Sequence, residues 1–274
     1  MSTVTSHLVT PQPLLGDERT ASQLYELGVR CGGVLLVHAS MRSAGGSALS
    51  MADALRGALG PEGTLVVPAF TPENSDTSRS YLDRVRSLSD RARAEVRATM
   101  PAFDPAASPA PTMGTFAETV RQSPGALRSA HPQTSFAALG PAAAKLLADH
   151  RQDCHLGEDS PLARLYDADA QVLLLGTGFD SCTAFHLGEY RRPAPPRRLY
   201  RCVVAREGRR RWWEYEDIAL DDSDFAAIGA DFGHERTGAV STGRVGAAPS
   251  LLFRLRAAVD FATGWLGRHR ADGR

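Results

Sequence analysis

The chain has 274 residues, 43% of them hydrophobic, and its 31 basic and 31 acidic side chains leave no formal net charge. This length allows a substantial core, and we expect one domain over residues 1–274 with its core at about 14–266. The balanced charge gives no support for nucleic-acid or anionic-membrane partners. We expect neither a signal peptide nor a membrane span, and the four cysteines form no CxxC pair, which predicts free thiols in the cytoplasm.

The first clear pattern is a strand, a loop, a helix and a second strand. GVLLVH (33–38) is a short apolar run typical of a buried strand, and TLVVPAF (64–70) is another. Between them lie the small-residue loop ASMRSAGGS (39–47) and a helix that we expect Ser50 to open, with Asp53 as its capping-box partner. This order predicts a βαβ unit with parallel strands, and therefore an α/β fold.

Residues 71–112 interrupt this pattern. They are polar and contain several prolines, with one helical stretch at 87–100. A long segment without a core pattern is usually functional, so we predict an insertion on the substrate side.

The other predicted elements have local signals of periodicity, capping or turn chemistry. They are helices at 17–30, 114–122 and 141–150, a short helix opened by Ser160 and Pro161, a buried strand at 171–176, a helix at 180–190, a hairpin of 198–205 and 210–216 joined by Glu207 and Gly208, and an amphipathic helix at 250–266.

The loop after the first strand is a candidate anion site. Backbone N–H groups at a helix N-terminus attract phosphate, and small residues allow a close approach. Ser40, Arg42, Ser43, Gly45 and Gly46 would hold it. The loop matches neither a Walker motif nor GxGxxG, so an ordinary βα turn is the competing interpretation.

The segment RSAHPQTSFAALG brings Arg128, Ser129, His131 and Ser135 close together around Pro132. The proline favours an extended or turn conformation at the preceding histidine. A polar site and a solvated loop both fit this pattern.

The segment LLLGTGFDSCTAFHLGEY is a candidate catalytic site. Gly-Thr-Gly after a buried strand predicts a tight turn at the sheet edge where α/β folds bind ligands, with Asp180 placed to cap the next helix. His186 and Glu189 are three residues apart and share one helix face. A histidine beside a carboxylate can act as a general base, but a core histidine and half of a metal site remain alternatives.

An uninterrupted acidic run follows the predicted hairpin. It consists of Glu214, Glu216, Asp217, Asp221, Asp222 and Asp224. A solvated face is one interpretation, and a collar that attracts a cationic substrate, together with Asp76, Asp180 and Glu189, is the other.

Taken together, these segments resemble the aminoglycoside 3-N-acetyltransferase family, also called antibiotic N-acetyltransferases. The segments that carry the resemblance are collinear over about 14–264: VHASMRSAGG, GTLVVPAF, the 100–114 run, RSAHPQTSFAALG, SPLARLY, VLLLGTGFDSCTAFHLGEY and GRVGAAPSLL. The resemblance implies a layered α/β/α fold around a central mixed, largely parallel sheet. It also implies acetyl transfer from acetyl-CoA, without a metal, to a cationic aminoglycoside, at the 3-amino group of its 2-deoxystreptamine ring, in resistance or self-protection.

The resemblance also implies roles for individual residues. His186 would be the general base, with Glu189 beside it in the catalytic site. The coenzyme would be bound by His38, Ser40, Met41, Arg42, Ser43, Ser129, His131 and Ser135. The substrate amines would meet Asp76, Asp180, Glu189, Glu216 and Asp221. One departure stands out, since Cys182 takes the place where this family pattern has asparagine.

Three alternatives stay open at this level. A relative could acetylate another biosynthetic amine, a zinc hydrolase could use His186, Glu189 and His131, and a non-catalytic protein could bind coenzyme or nucleotide. A monomer and a homodimer are both compatible with the sequence.

Overall fold

The computed structural model describes residues 15–270, which form a seven-stranded sheet between two layers of helices, with a separate hairpin. The strands are β1 (Val34–Ala39), β2 (Thr64–Pro68), β3 (Leu127–Arg128), β4 (Phe136–Leu139), β5 (Gln171–Leu175), β6 (Arg197–Arg206), β7 (Arg209–Ile218), β8 (Val240–Val245) and β9 (Ala248–Arg254). The helices are α1 (Leu15–Leu27), α2 (Met41–Ala44), α3 (Ala48–Leu59), α4 (Arg79–Val85), α5 (Asp90–Thr99), α6 (Gly114–Gln122), α7 (Ala143–Leu147), α8 (Pro161–Asp167), α9 (Phe185–Arg191), α10 (Phe225–Glu235) and α11 (Leu255–His269). Short 3₁₀ turns lie at Pro72–Asn74, Pro111–Met113 and Phe179–Ser181.

The sheet has the order β3-β4-β2-β1-β5-β9-β8. β1 pairs in parallel with both β2 and β5, which confirms the predicted βαβ unit. β4 is antiparallel to β2, and β9 is antiparallel to β5. β3 is antiparallel to β4, and β8 is antiparallel to β9, so β3 and β8 have the direction of β1. Five of the seven strands therefore point the same way, in a mixed sheet that confirms the expected α/β architecture.

Alternate residues of the central strands supply two cores, because successive side chains of a strand point to opposite faces. Leu35 and Val37 of β1 pack on the face covered by α1, α3 and α6. Leu36 packs on the opposite face, where α7 to α11 lie. Because both faces of the sheet are buried, the central strands are continuous apolar runs. By the same alternation, the His38 side chain lies on the face of the sheet that α9 covers.

The β6–β7 hairpin and the 71–112 segment pack against each other. Isolated bridges join Ser75 to Cys202 and Phe103 to Val204. Tyr81 of α4 shares a small apolar cluster with Val203 of β6. The segment is thus an ordered layer held against the hairpin.

Some predicted boundaries were wrong. Residues 248–254 form β9 instead of the start of the last helix, because they pair antiparallel with β5. Ser47, not Ser50, caps α3, and its side chain accepts a hydrogen bond from the Ser50 N–H. Asp180 lies in a 3₁₀ turn and caps no helix, since α9 begins only at Phe185.

Other elements had no sequence prediction, namely β3, β4, β8, α4 and α10. The predicted helix at 141–150 is shorter, at Ala143–Leu147. Within residues 15–270, no helix has the length and apolarity needed to cross a bilayer.

Candidate active site

A cleft of about 730 Å³ opens at the carboxyl ends of β1, β2 and β5. This is the edge of an α/β sheet where ligands usually bind. The polar and charged groups of its lining come from five segments of the chain. They are His38, Ser40 and Arg42 after β1, Thr112 and Thr115 before and within α6, Thr177, Asp180 and Ser181 after β5, Thr183 and His186 at α9, and Asp222 before α10.

The loop after β1 is anchored to the neighbouring strand. The Ser40 N–H donates to the Leu175 carbonyl at 2.8 Å, and the Ser40 and Ser43 hydroxyl oxygens lie 3.3 Å apart. Gly176 has φ = 67°, and a Cβ added there would lie 2.6 Å from the Ser43 Cβ. A glycine is therefore required where the β5 turn passes beneath the loop.

His186 and Glu189 form a hydrogen-bonded pair on α9. The His186 Nδ1 lies 2.5 Å from the Glu189 Oε2. Because a carboxylate oxygen accepts hydrogen bonds, the Nδ1–H is the donor of this bond, and Nε2 takes no part in it. The His186 ring packs against Phe225 at 4.7 Å between centroids and lines the cleft. This is the arrangement that a general base requires.

Glu189 is almost completely buried, with 2% of its side chain exposed. Its Oε1 accepts from the Asp221 N–H at 3.0 Å and from the Arg270 guanidinium. Burial without such partners would strongly destabilise an ionised carboxylate.

His38 lies at the end of β1, on the same side of the sheet as α9. His38 is 9% exposed, and its Nε2 has no hydrogen-bond partner among the described residues. Burial, and then the proximity of His186, lower the pKa of His38 to about 4. His38 is therefore neutral at neutral pH and adds no charge to the cleft.

The predicted substrate carboxylates separate into two groups. Asp180 lines the cleft, whereas Asp221 lies beside Glu189 through its backbone N–H. Asp76 is buried in an ion pair with Arg201, and Glu216 pairs with Arg197 at 3.3 Å on the hairpin. Neither of these two carboxylates lines the cleft, so their predicted substrate role has no support from this geometry.

The predicted coenzyme residues also separate. His38, Ser40, Met41 and Arg42 line the cleft, and Ser43 contacts Ser40.

In contrast, Ser129, His131 and Ser135 are buried and bonded within the protein. The Ser129 hydroxyl lies 3.0 Å from the His150 Nδ1, and the His131 Nδ1 accepts from the Thr134 N–H at 3.0 Å. Their coenzyme role stays a prediction.

The three buried rings of His131, His150 and His155 form a cluster. The His131 centroid lies 4.8 Å from that of His150 and 4.6 Å from that of His155. Burial holds the pKa of each imidazole below its ordinary value, to about 4 for His150. His131 belongs to this cluster and not to the His186–Glu189 pair, so the three residues considered for zinc are not brought together.

No group of three or more His, Cys, Asp or Glu side chains within residues 15–270 has an arrangement that would hold a metal ion. Cys182 is fully buried beneath the turn that precedes α9. Burial raises the pKa of its thiol to about 12.

Sequence reasoning missed several groups of this site. Asp222 was predicted only as part of an acidic run, Thr112 only as the end of the 71–112 segment, and Thr115 only as part of the helix at 114–122. Arg270 carried no local signal, because it lies 81 residues from Glu189 in sequence.

Comparison with known proteins gives extensive matches. A sequence model described as aminoglycoside 3-N-acetyltransferase matches residues 36–267. Aminoglycoside N(3)-acetyltransferase VII of Streptomyces paromomycinus is 37% identical over 278 residues, covering 93% of this chain and 94% of that protein. The SPbeta prophage-derived aminoglycoside N(3')-acetyltransferase-like protein YokD of Bacillus subtilis (strain 168) is 37% identical over 252 residues, covering 88% of this chain and 89% of that protein.

Solved structures are similar over the same extent. The crystal structure of YokD superposes with a TM-score of 0.86 at 34% identity, covering 94% of this chain and 95% of that one. A binary complex of AAC-IIIb with CoASH gives 0.78 at 32% identity, with coverage of 92% and 96%. AAC-VIa bound to sisomicin gives 0.78 at 30% identity, with coverage of 93% and 98%.

Proposed function

Because the chain belongs to the aminoglycoside 3-N-acetyltransferase family, we propose that it acetylates the 3-amino group of an aminoglycoside's 2-deoxystreptamine ring. It is an acyltransferase, and acetyl-CoA is its co-substrate. The proposed role is antibiotic resistance or self-protection in the cytoplasm. The observation that carries the reaction proposal is the His186–Glu189 pair on the wall of the sheet-edge cleft.

His186 is the proposed general base. Its Nδ1–H donates to Glu189, which fixes the tautomer and leaves Nε2 to accept a proton from the attacking amine, whose ammonium form has first lost one proton to solvent. The amine nitrogen then attacks the thioester carbonyl carbon, and the C–S bond breaks. The proton held by His186 passes to the departing thiolate, so the products are an amide and the free thiol, and the base is regenerated.

The coenzyme is proposed to enter along the loop after β1. Ser40 and Arg42 line the cleft, and Arg42 supplies a cation beside exposed backbone at the end of a strand. Binding of both substrates in one cleft supplies much of the rate enhancement, up to about 7–11 kcal/mol of the barrier in ideal intramolecular cases.

The acceptor is proposed to be a cation because the cleft contains carboxylates on the side of His186. Asp180 and Asp222 both line it. AAC-VIa, which is similar to this chain, has been solved with sisomicin bound. An amine of another biosynthetic class is the competing acceptor within the same family, and a substrate panel separates the two.

Transfer is proposed to be direct, from the coenzyme to the amine within a ternary complex. An acyl-enzyme would need a nucleophile beside His186. The nearby cysteine, Cys182, is buried, and the raised pKa of its thiol opposes formation of the thiolate.

The base role is tested with His186→Gln, which keeps a polar side chain but removes the basic nitrogen. We expect kcat to fall by about 100- to 10,000-fold while the affinity for coenzyme A is unchanged. Thiol release with sisomicin as acceptor measures the rate, and calorimetry measures coenzyme binding. His234→Gln, at an exposed histidine of α10, is the matched control. Turnover close to wild type in the His186 variant would disprove the assignment.

The regiochemistry is tested by comparing sisomicin with sisomicin already acetylated on its 3-amine. We expect thiol release only with the first compound, and the acetyl group at the 3-nitrogen in the product's NMR spectrum. Equal rates with both compounds, or transfer only to unrelated amines in a panel, would contradict the proposed acceptor.

A further inference from the structure

One guanidinium joins the proposed catalytic pair to the end of the last helix. Arg270 follows α11, and its Nη1 donates to the Glu189 Oε1. Its Nε and Nη2 donate to the two carboxylate oxygens of Asp224 at 2.8 and 2.6 Å. Its Nη2 also donates to the Asp221 carbonyl at 2.5 Å. Arg270 is only 16% exposed, so these interactions are shielded from water.

We propose that Arg270 is a positioning residue that fixes the orientation of Glu189 and offsets the negative charge that favours protonation of His186, the proposed base. The inference rests on the base role proposed above. It assigns a function to a residue outside the cleft, contributed by a distant part of the chain.

The first argument is the environment of the Glu189 carboxylate. One oxygen accepts from His186, and the other accepts from the Asp221 N–H and Arg270. Arg270 provides the positive charge in this set, and Glu189 is 2% exposed. Without Arg270, the buried Glu189 carboxylate could be neutralised only by a proton on the His186 imidazole.

The second argument is the local sum of charges. Arg270 is a single positive charge beside three carboxylates, those of Glu189, Asp221 and Asp224. Removal of the guanidinium makes the local charge more negative by one, which favours the imidazolium form of His186. The protein would then hold the proton that the base must be free to accept.

Other titratable and charged groups face the same region. They are His38 on β1, Tyr200 on β6, His155 of the buried histidine cluster, Asp180 and Asp222 in the cleft, and Arg192, which donates to the Arg270 carbonyl at 2.9 Å. None of them forms a hydrogen bond or ion pair with Glu189 within residues 15–270. The effect of Arg270 on this carboxylate is therefore not duplicated.

The third argument is the position of the 221–225 segment. Arg270 contacts Asp221 and Asp224, while Asp222 and Phe225 of the same segment line the cleft. Phe225 also packs on the His186 ring. One side chain thus holds both the carboxylate partner of the base and the wall that the base packs against.

The inference is tested by measuring the protonation of His186 directly. Histidine-labelled protein is titrated by NMR, and the His186 signal is assigned with His186→Gln. In Arg270→Gln we expect the titration midpoint of His186 to rise by about one pH unit. The acid limb of the kcat profile should move by the same amount, which lowers kcat on that limb about tenfold. Coenzyme A affinity should not change.

Two further variants separate charge from packing. Arg270→Lys keeps the charge but has three donors for the four acceptor atoms that Arg270 contacts, and it lacks the planar fork of a guanidinium. We therefore expect a midpoint close to wild type with an intermediate kcat. Arg268→Gln, at an exposed arginine of the same helix, is the matched control and should leave both quantities unchanged.

The possible failures are distinguishable. If Arg270→Gln is folded but its His186 midpoint and pH profile equal those of the wild type, the inference is wrong, even if the melting temperature falls. If His186→Gln remains active, the proposed base role is wrong. The NMR midpoint does not require turnover, so it still tests whether Arg270 controls the protonation of His186.

Discussion

Cys182 illustrates how burial decides the chemistry of a single residue. It lies four positions before His186. Its thiol is fully buried and accepts backbone hydrogen bonds from the start of α9, and burial raises its pKa to about 12. A thiolate is the reactive form of cysteine, so this residue acts as a small apolar group that supports the turn.

Substitution of Cys182 tests direct transfer. In Cys182→Ala we expect kcat to stay within about threefold of wild type and the free energy of unfolding to fall by about 1 kcal/mol, because only a small buried group is lost. Steady-state kinetics and urea denaturation measure these effects, with Cys31→Ala as the exposed control. An acetyl adduct that forms on the wild type with acetyl-CoA alone, and is absent from Cys182→Ala, would favour an acyl-enzyme instead.

At the scale of elements, the sequence predicted those whose signals are local. The runs of β1, β2 and β5 are apolar because both sheet faces are covered, and the β6–β7 turn has positive φ at both Glu207 and Gly208, as a tight hairpin requires.

Elements defined by distant pairing were not predictable in the same way. β4 is FAAL, which has little β-propensity, and it is held by antiparallel pairing with β2. β9 is followed directly by α11, so in the sequence its apolar residues look like the first turns of that helix. Only the antiparallel pairing with β5 shows that they form a strand.

The residues of the candidate active site also differ in whether local sequence patterns predict them. The three-residue spacing on one helix predicted that His186 and Glu189 lie together, and they do. The position of Ser40 and Arg42 directly after a buried strand predicted that they lie at the sheet edge, and both line the cleft. Arg270 reaches the site only through the packing of α11 against α9, which no local pattern contains.

The element α4 provides a prediction about substrate binding. Its first residue, Arg79, pairs with the cleft residue Asp222 at 3.0 Å, and both side chains are well exposed. A cationic acceptor must compete with Arg79 for this carboxylate. In Arg79→Ala we expect the KM for sisomicin to fall about two- to fivefold, the equivalent of a surface ion pair worth ~0.5–1 kcal/mol, with kcat unchanged.

The control for this prediction is Arg84→Ala, at an exposed arginine of the same helix. The difference between the two variants should shrink as salt is added, because exposed charges are screened. An unchanged KM in Arg79→Ala at low salt would show that the acceptor does not use Asp222.

For the whole molecule, the buried histidine cluster links stability to pH. Because the pKa values of His131, His150 and His155 are depressed in the folded state, the unfolded chain takes up protons near pH 6.5 that the folded chain excludes. Stability is therefore full above about pH 7 and is lost progressively as the pH falls from about 6.5 towards the folded pKa values. Buried Asp217 has a raised pKa and opposes this loss, but it is one group against three.

We expect the free energy of unfolding to fall by about 2 kcal/mol for His150 alone between pH 7.5 and pH 5, given its pKa of about 4. Urea denaturation across this range should give an uptake of about three to four protons on unfolding near pH 5.5, from the three clustered histidines and from His38. His150→Gln should reduce the uptake by about one proton, whereas exposed His234→Gln should leave it unchanged. A stability that is flat from pH 7.5 to 5 would mean that these imidazoles are already protonated in the folded protein. Within residues 15–270 none of the three rings forms an ion pair with a carboxylate, and buried Asp217 bonds, within this cluster, only to the His155 backbone N–H. Three adjacent buried imidazolium cations would therefore repel one another in a poorly polarisable core, which argues against that.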